Sequence, residues 1–82
     1  MTDKSREERF RLRYGELVFH KRRHLDLTQI ELARCAGTSR ITIANIETGK
    51  HFPSLATALR VADALDLDWK EIMDLHASRG KK

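Results

Sequence analysis

Cysteine, proline and glycine are scarce in this sequence, whose 82 residues include one cysteine, one proline and four glycines. The single cysteine, Cys35, excludes an internal disulfide and suits a reducing compartment. No apolar run approaches the roughly 20 residues that span a bilayer. The first residues are charged and lack the apolar core of a signal peptide. We therefore expect one small cytoplasmic domain with no membrane partner.

Basic residues outnumber acidic residues in the first third of the chain, and acidic residues outnumber basic residues in the last third. Residues 1–27 hold eight Lys/Arg against five Asp/Glu, whereas residues 55–77 hold two against five. The basic side is the one expected to approach a phosphate backbone, with the acidic side facing away. The alternative is that these charges are simply solvated surface.

The middle of the sequence predicts two short helices joined by a tight turn. Thr28 and Glu31 form a capping box that begins the first helix, and Ser39 caps the second. Gly37 lies between the helices, where the chain needs a residue that accepts positive φ.

The second of these helices has an apolar stripe and a polar face. Ile43 and Ile46 are three residues apart and are expected to pack inward. The other face carries side chains that can read DNA bases, at Arg40, Thr42 and Asn45. No strand pattern or repeat occurs elsewhere, so the sequence predicts an all-α domain of five helices.

This stretch resembles the helix-turn-helix of the phage Cro and repressor superfamily, also called the xenobiotic-response-element type. The resemblance rests on Gln29, Leu32, Ala33, Gly37, Ile43, Ile46, Glu47, Gly49 and Lys50, and continues through Pro53, Ser54, Leu55, Leu59, Ala62, Leu65 and Leu67. It implies a compact five-helix lambda-repressor-like DNA-binding domain whose second and third helices form the motif. The domain would occupy 15–77, after a basic N-terminal extension of helix one (1–14) and before a frayed basic tail (78–82).

Patterning outside the motif predicts the other helices. Ser5 and Glu8 predict the start of helix one, and Asp68 with Glu71 should cap a short fifth helix. The expected core face of helix four consists of Leu55, Leu59, Ala62 and Leu65.

Two aspartates stand where the family often has glycine. Asp26 precedes helix two, and Asp66 precedes the last helix. Because aspartate tolerates the left-handed region, neither change should disturb the fold.

The basic extension has two interpretations. Its cations could follow the DNA backbone, as basic arms do in some relatives. Alternatively, it is a solvated continuation of helix one that packs Phe10 and Tyr14 inward, and we favour this interpretation.

In the family, the second helix of the motif lies in the major groove with its N-terminal residues against base edges. The resemblance implies base-reading roles for Ser39, Arg40, Ile41 and Asn45. Arg40 can donate two hydrogen bonds to guanine, Asn45 can pair with adenine, and Ile41 can contact a thymine methyl. The alternative for Ile41 is partial packing against the loop at Phe52.

A second set of residues is expected to meet DNA phosphates and to fix the position of the protein on DNA. The set consists of Gln29, Thr38, Thr48 and Lys50. Gln29 begins its helix, where free N–H groups and the helix dipole favour an anion. Lys50 could instead be a solvated charge.

Arg22 and Glu47 occupy positions that family members commonly join in a partly buried ion pair. This pair would link helix one to the end of helix three, so we interpret both residues as structural. Arg23 then remains available for DNA or solvent.

No residues point to catalysis or to a cofactor. His20 and His24 have a spacing that can bind a metal, but no matching ligands accompany them. Cys35 is expected to be a small, half-buried apolar residue. We expect no enzyme activity, no metal and no cofactor.

The sequence predicts a transcriptional regulator, most simply a repressor, that binds double-stranded DNA at a pseudo-palindromic operator as a homodimer. The expected dimer surface is the last helix, through Trp69, Ile72 and Met73, some of which must instead cover the core. One alternative is an antitoxin or restriction-modification controller that regulates its own operon. Another is a protein-interaction adaptor that kept the fold without specific DNA binding.

Overall fold

A computed structural model describes residues 3–68 and 70–72, with side chains from residue 6 onward. Its helices are α1 (Asp3–His24), α2 (Gln29–Ala36), α3 (Arg40–Glu47) and α4 (Leu55–Ala64), and residues 70–72 are again helical. Helix α1 packs on α3, and α2 packs on both α3 and α4. The described residues contain no strand. The predicted all-α fold, with a helix-turn-helix in helices two and three, is confirmed.

Side-chain caps begin the helices of the motif as predicted. The Thr28 hydroxyl oxygen accepts from the Glu31 N–H at 3.0 Å, and Glu31 Oε1 accepts from the Thr28 N–H at 2.8 Å. The hydroxyl oxygens of Ser39 and Ser54 each accept from an N–H three residues later, at 3.1 and 3.2 Å. These bonds satisfy backbone donors that a helix start leaves open.

The predicted cap of the last helix also forms. Asp68 Oδ1 accepts from the Lys70 N–H at 3.1 Å, and the Asp68 N–H donates to Glu71 Oε1 at 3.3 Å. Trp69, Met73 and the tail lie outside the described residues.

Helices α1 to α4 each end in the same kind of left-handed turn. The residue with positive φ is Asp26 (59°), Gly37 (68°), Gly49 (75°) or Asp66 (57°). In each turn the next N–H donates to the carbonyl five residues earlier, at 2.8 to 3.0 Å. This is the Schellman motif, which satisfies carbonyls at the helix end. Asp26 and Asp66 adopt the conformation predicted for residues in place of glycine.

Helix α1 begins at Asp3, so Ser5 lies inside the helix and the prediction that Ser5 starts it is wrong. The residues of α1 that pack on the core begin at Phe10, so this packing stabilises the helix without fixing where it starts. Phe10 and Tyr14 turn inward and meet Phe52, with ring centroids 5.3 and 4.9 Å from the Phe52 ring. The favoured interpretation of the extension, as a continuation of α1 with these rings packed inward, agrees with this arrangement.

The loop after α3 is also held by α1. Arg11 Nε donates to the Gly49 carbonyl at 3.3 Å, and Leu12 lies against Gly49. Farther along, Gly15 allows α1 to cross the end of α3, since a Cβ at Gly15 would overlap the Ile46 carbonyl oxygen. The first half of α1 therefore supports the end of the motif.

The core differs from the sequence prediction at helix four. The buried apolar residues are Tyr14, Val18, Leu32, Ala33, Ala36, Ile43, Ile46, Ala58, Val61, Ala62, Leu65, Leu67 and Ile72. Leu55 and Leu59 are exposed, so the prediction that they pack in the core is wrong. The apolar side of α4 is wider than the part that packs on α2, and the two leucines lie at its uncovered edge.

The last helical residues correct a second expectation. Ile72 is 2% exposed and belongs to the core cluster, so the prediction that it faces a partner subunit is wrong. Its apolar side chain is buried against the chain's own core, where it is no longer available to another subunit.

Cys35 is exposed, so the prediction that it is half-buried is wrong. No helix in the described ranges is long and apolar enough to cross a membrane. Within these ranges, no three His, Cys, Asp or Glu side chains are grouped to hold a metal ion.

Tyr14 offers a direct test of the core. Its hydroxyl oxygen is buried with no hydrogen-bond partner among the described residues, and burial raises its pKa from 10.0 to about 12. The neutral form is thus favoured by folding, and this contribution to stability is lost as pH rises from about 10 toward 12. Since Tyr14 is the single tyrosine, tyrosinate absorbance should titrate near pH 12 in the folded protein and near 10 in urea.

Tyr14→Phe should remove this alkaline dependence of stability. At pH 7 it should change the free energy of unfolding by less than about 1 kcal/mol, because it deletes an unsatisfied buried hydroxyl and keeps the ring. A loss above about 2 kcal/mol in urea denaturation would mean that the hydroxyl is hydrogen-bonded.

Candidate nucleic-acid interface

Helix α3 has one buried side and one open side. Ile43 and Ile46 point into the core. The four predicted base-reading residues lie outside the core: Ser39, Arg40 and Ile41 are exposed and Asn45 is half-buried. The structure therefore brings these four onto the open side of one short helix and its cap. Base reading itself stays a prediction.

Ile41 is an apolar residue on this open side. It is 62% exposed, and the Phe52 ring lies against Phe10 and Tyr14. The high exposure of Ile41 favours the open interpretation over packing against the Phe52 loop. An exposed branched side chain at this position suits contact with a methyl group.

An ion pair fixes α3 against α1, as predicted. Arg22 Nε and Nη2 donate to the two oxygens of the Glu47 carboxylate at 2.6 and 3.1 Å. Arg22 Nη1 also donates to the Leu27 carbonyl at 2.8 Å. Both charged side chains are buried, so the two parallel bonds form in a low-dielectric setting, where charge-assisted pairs are strong.

Gln29 extends this pair to the start of α3, a connection that the sequence did not reveal. Gln29 Nε2 donates to Glu47 Oε1 at 3.0 Å, and Arg40 Nη1 donates to Gln29 Oε1 at 3.4 Å. Because Glu47 accepts from the amide nitrogen, the amide oxygen is turned toward Arg40. A glutamine amide has two N–H donors, so Gln29 can keep the Glu47 bond and still donate to a phosphate.

The other predicted phosphate-binding residues lie around α3, but their groups are not equally available to bind a phosphate. The Thr48 hydroxyl donates to the carbonyls of Ala44 and Asn45, at 3.1 and 3.3 Å. Its proton is therefore already used, which weakens the case for Thr48 as a phosphate donor. Thr38 is half-buried in the turn before α3, and Lys50 is exposed after Gly49.

A basic groove opens where α1, α2 and α3 meet. Its volume is about 520 Å³, and its lining includes Arg22, Arg23 and Arg40 together with Asp26 and Gln29. The Arg23 guanidinium lies 5.5 Å from the centre of the Phe19 ring, so it is held by a cation–π contact. The groove gives Gln29 and Arg40 a positive surrounding that would attract an anion.

Breaking the ion pair should strongly destabilise the fold. Glu47→Ala leaves the buried Arg22 charge without its partner and should lower the free energy of unfolding by about 3–5 kcal/mol. Glu16→Ala, which removes an exposed carboxylate from α1, is the matched control and should stay within about 0.5 kcal/mol. Equal, small losses in urea denaturation for both variants would contradict the structural role of the pair.

Residues 20–72, more than half of the chain, match the family model described as helix-turn-helix. The chain belongs to this family. It is of the Cro and repressor type, as predicted. The chain is 39% identical over 54 residues to the ImmF control region 10 kDa protein of Bacillus phage phi105. The matched stretch covers 66% of this chain and 60% of the phage protein.

Further similarities concern an archaeal protein and a solved structure. The chain is 47% identical over 49 residues to an uncharacterized HTH-type transcriptional regulator of Methanothermobacter thermautotrophicus, covering 60% of this chain and 71% of that protein. The restriction-modification controller protein C.AhdI from Aeromonas hydrophila superposes with a TM-score of 0.70 at 29% identity. That match covers 76% of this chain and 94% of the controller chain.

Proposed function

We propose that this protein recognises a specific double-stranded DNA sequence in the cytoplasm and represses transcription from a promoter containing it. The observation that carries the proposal is the open side of α3, which presents Arg40, Ile41 and Asn45 on a helix fixed to the core by Arg22 and Glu47. A base-reading helix must be held in one orientation, because a bidentate contact tolerates little displacement.

Recognition divides into base contacts and phosphate contacts. In this proposal the N-terminal part of α3 enters the major groove, where Arg40 reads guanine and Asn45 reads adenine. Gln29 and Lys50 approach the backbone on either side and determine position without reading sequence. Thr38 belongs to this second group, whereas the Thr48 hydroxyl already donates within the protein.

The proposed regulator acts as a homodimer on a pseudo-palindromic operator. One α3 of 8 residues reaches only a half-site, and a twofold partner presents a second copy to the adjacent turn of DNA. Of the last-helix residues predicted to form the dimer surface, Ile72 is buried in the core, and Trp69 and Met73 lie outside the described residues.

A restriction-modification controller is a second candidate, supported by the likeness to the C.AhdI controller. Such a role would use the same reading helix to regulate a linked operon. An adaptor that does not bind DNA is less well supported, because the exposed Arg40 and the groove beside it form a basic surface next to α3.

Selection of binding sites from random double-stranded DNA tests this proposal. We expect enrichment of one symmetric sequence, together with weaker binding to random DNA that falls steeply as salt increases. Absence of binding at low salt would favour the adaptor. Binding to DNA without any enriched sequence would contradict sequence-specific recognition.

Two substitutions separate base reading from phosphate binding. Arg40→Ala should weaken binding to the selected site by about 1–3 kcal/mol and relax the preference at one base pair, because it removes a bidentate contact. Lys50→Ala should weaken all sequences alike and reduce the salt dependence.

Fluorescence anisotropy with selected and random DNA measures both effects. Lys70→Ala, at an exposed position after α4, is the control for Lys50 and should leave both affinities unchanged. Equal losses on selected and random DNA for Arg40→Ala would refute base reading by Arg40.

A further inference from the structure

Helix α4 carries an exposed apolar surface that the proposed DNA contacts do not use. Leu55 is 69% exposed and Leu59 is 43% exposed. They are four residues apart and so lie on the same side of α4, one turn from each other. Large apolar side chains clustered on the surface of a small domain are typical of a binding site for another macromolecule.

A shallow groove continues this surface. It has a volume of about 360 Å³ and is lined by Leu59, Ala62 and Leu67, with Arg60 and Asp63 also contributing. The surface therefore offers both a protruding side chain, Leu55, and an apolar recess. A twofold contact uses the same surface on both copies, so it needs a protrusion and a recess together.

The charges near α4 favour an antiparallel arrangement of two copies. Its N-terminal end is the positive end of the helix dipole and follows the exposed His51. Its C-terminal end carries exposed Asp63 and Asp66. A parallel pair would place the acidic ends together, whereas an antiparallel pair places each acidic end near the partner's positive end.

We propose that the surface formed by Leu55, Leu59 and the adjacent groove binds a second copy of this chain. The α4 helices then cross antiparallel near Leu59, and each Leu55 enters the groove of the other copy. The inference rests on the proposed homodimer and assigns its contact to α4. None of the predicted base-reading residues lines this groove, so both α3 helices stay open in the pair.

The small size of the surface determines how stable the pair should be. A stable interface buries about 800 Å² on each partner, which two leucines and a shallow groove do not supply alone. The dimer should therefore be weak in solution and depend on concentration, and two adjacent half-sites should favour it by holding both copies together.

Sedimentation velocity with a matched pair of variants tests the assignment. Leu59→Asp should abolish self-association, because it places a charge in the apolar contact. Leu25→Asp is the control: Leu25 is also a leucine, is 44% exposed, and lies in the turn after α1. Both variants should keep the wild-type circular dichroism spectrum, and only Leu25→Asp should keep the concentration-dependent increase in mass.

Disulfide cross-linking gives a positive signal for the same contact. Cys35 is exposed and free, so it is first replaced by serine. In that background Leu59→Cys should form a disulfide-linked dimer on mild oxidation, since antiparallel crossing brings the two copies of this position together. Leu25→Cys should remain monomeric under the same conditions.

Several results would overturn the inference. They are a dimer that persists unchanged in Leu59→Asp, equal cross-linking through positions 25 and 59, and a wild-type protein that binds its selected DNA as one copy per site. The last result would remove the dimer yet leave sequence-specific recognition intact. A failure of DNA binding with the dimer preserved would instead contradict the proposed function and leave the α4 contact standing.

Discussion

The buried ion pair between Arg22 and Glu47 is the interaction on which the geometry of the motif depends. It joins the end of α1 to the end of α3, and Arg22 also bonds the Leu27 carbonyl just before α2. Gly15 allows the two helices to approach closely enough for this pair to form. Through Gln29, the same carboxylate is connected to Arg40 at the start of α3. A charge pair in the core thus orients a side chain on the surface that is proposed to read DNA.

Local chemistry made several features predictable from sequence. The caps at Thr28 and Ser39 and the left-handed aspartates depend on a few neighbouring residues, so short patterns identify them. Whether Leu55 and Ile72 are buried or exposed depends on which helix packs over each of them, and apolar periodicity does not give that information. The Gln29 connection was missed for the same reason, since its partners are 18 and 11 residues away.

Two surfaces with different chemistry lie on different helices. The open side of α3 and the basic groove beside it are polar and positively charged, whereas the exposed edge of α4 is apolar with acidic residues at one end. The loop between these helices is held by Phe52 against α1. This separation would let recognition of DNA and assembly of subunits be altered independently, because no described residue serves both surfaces.

The most direct test of the proposed DNA interface is an NMR titration of the labelled protein with its selected DNA. The account predicts that backbone and side-chain signals of Gln29, Arg40, Ile41 and Asn45 shift on binding. Arg40 and Asn45 should also show intermolecular contacts to base protons in the major groove. The contradicting result is binding to the selected DNA in which α3 signals stay unchanged and the contacts map to another surface.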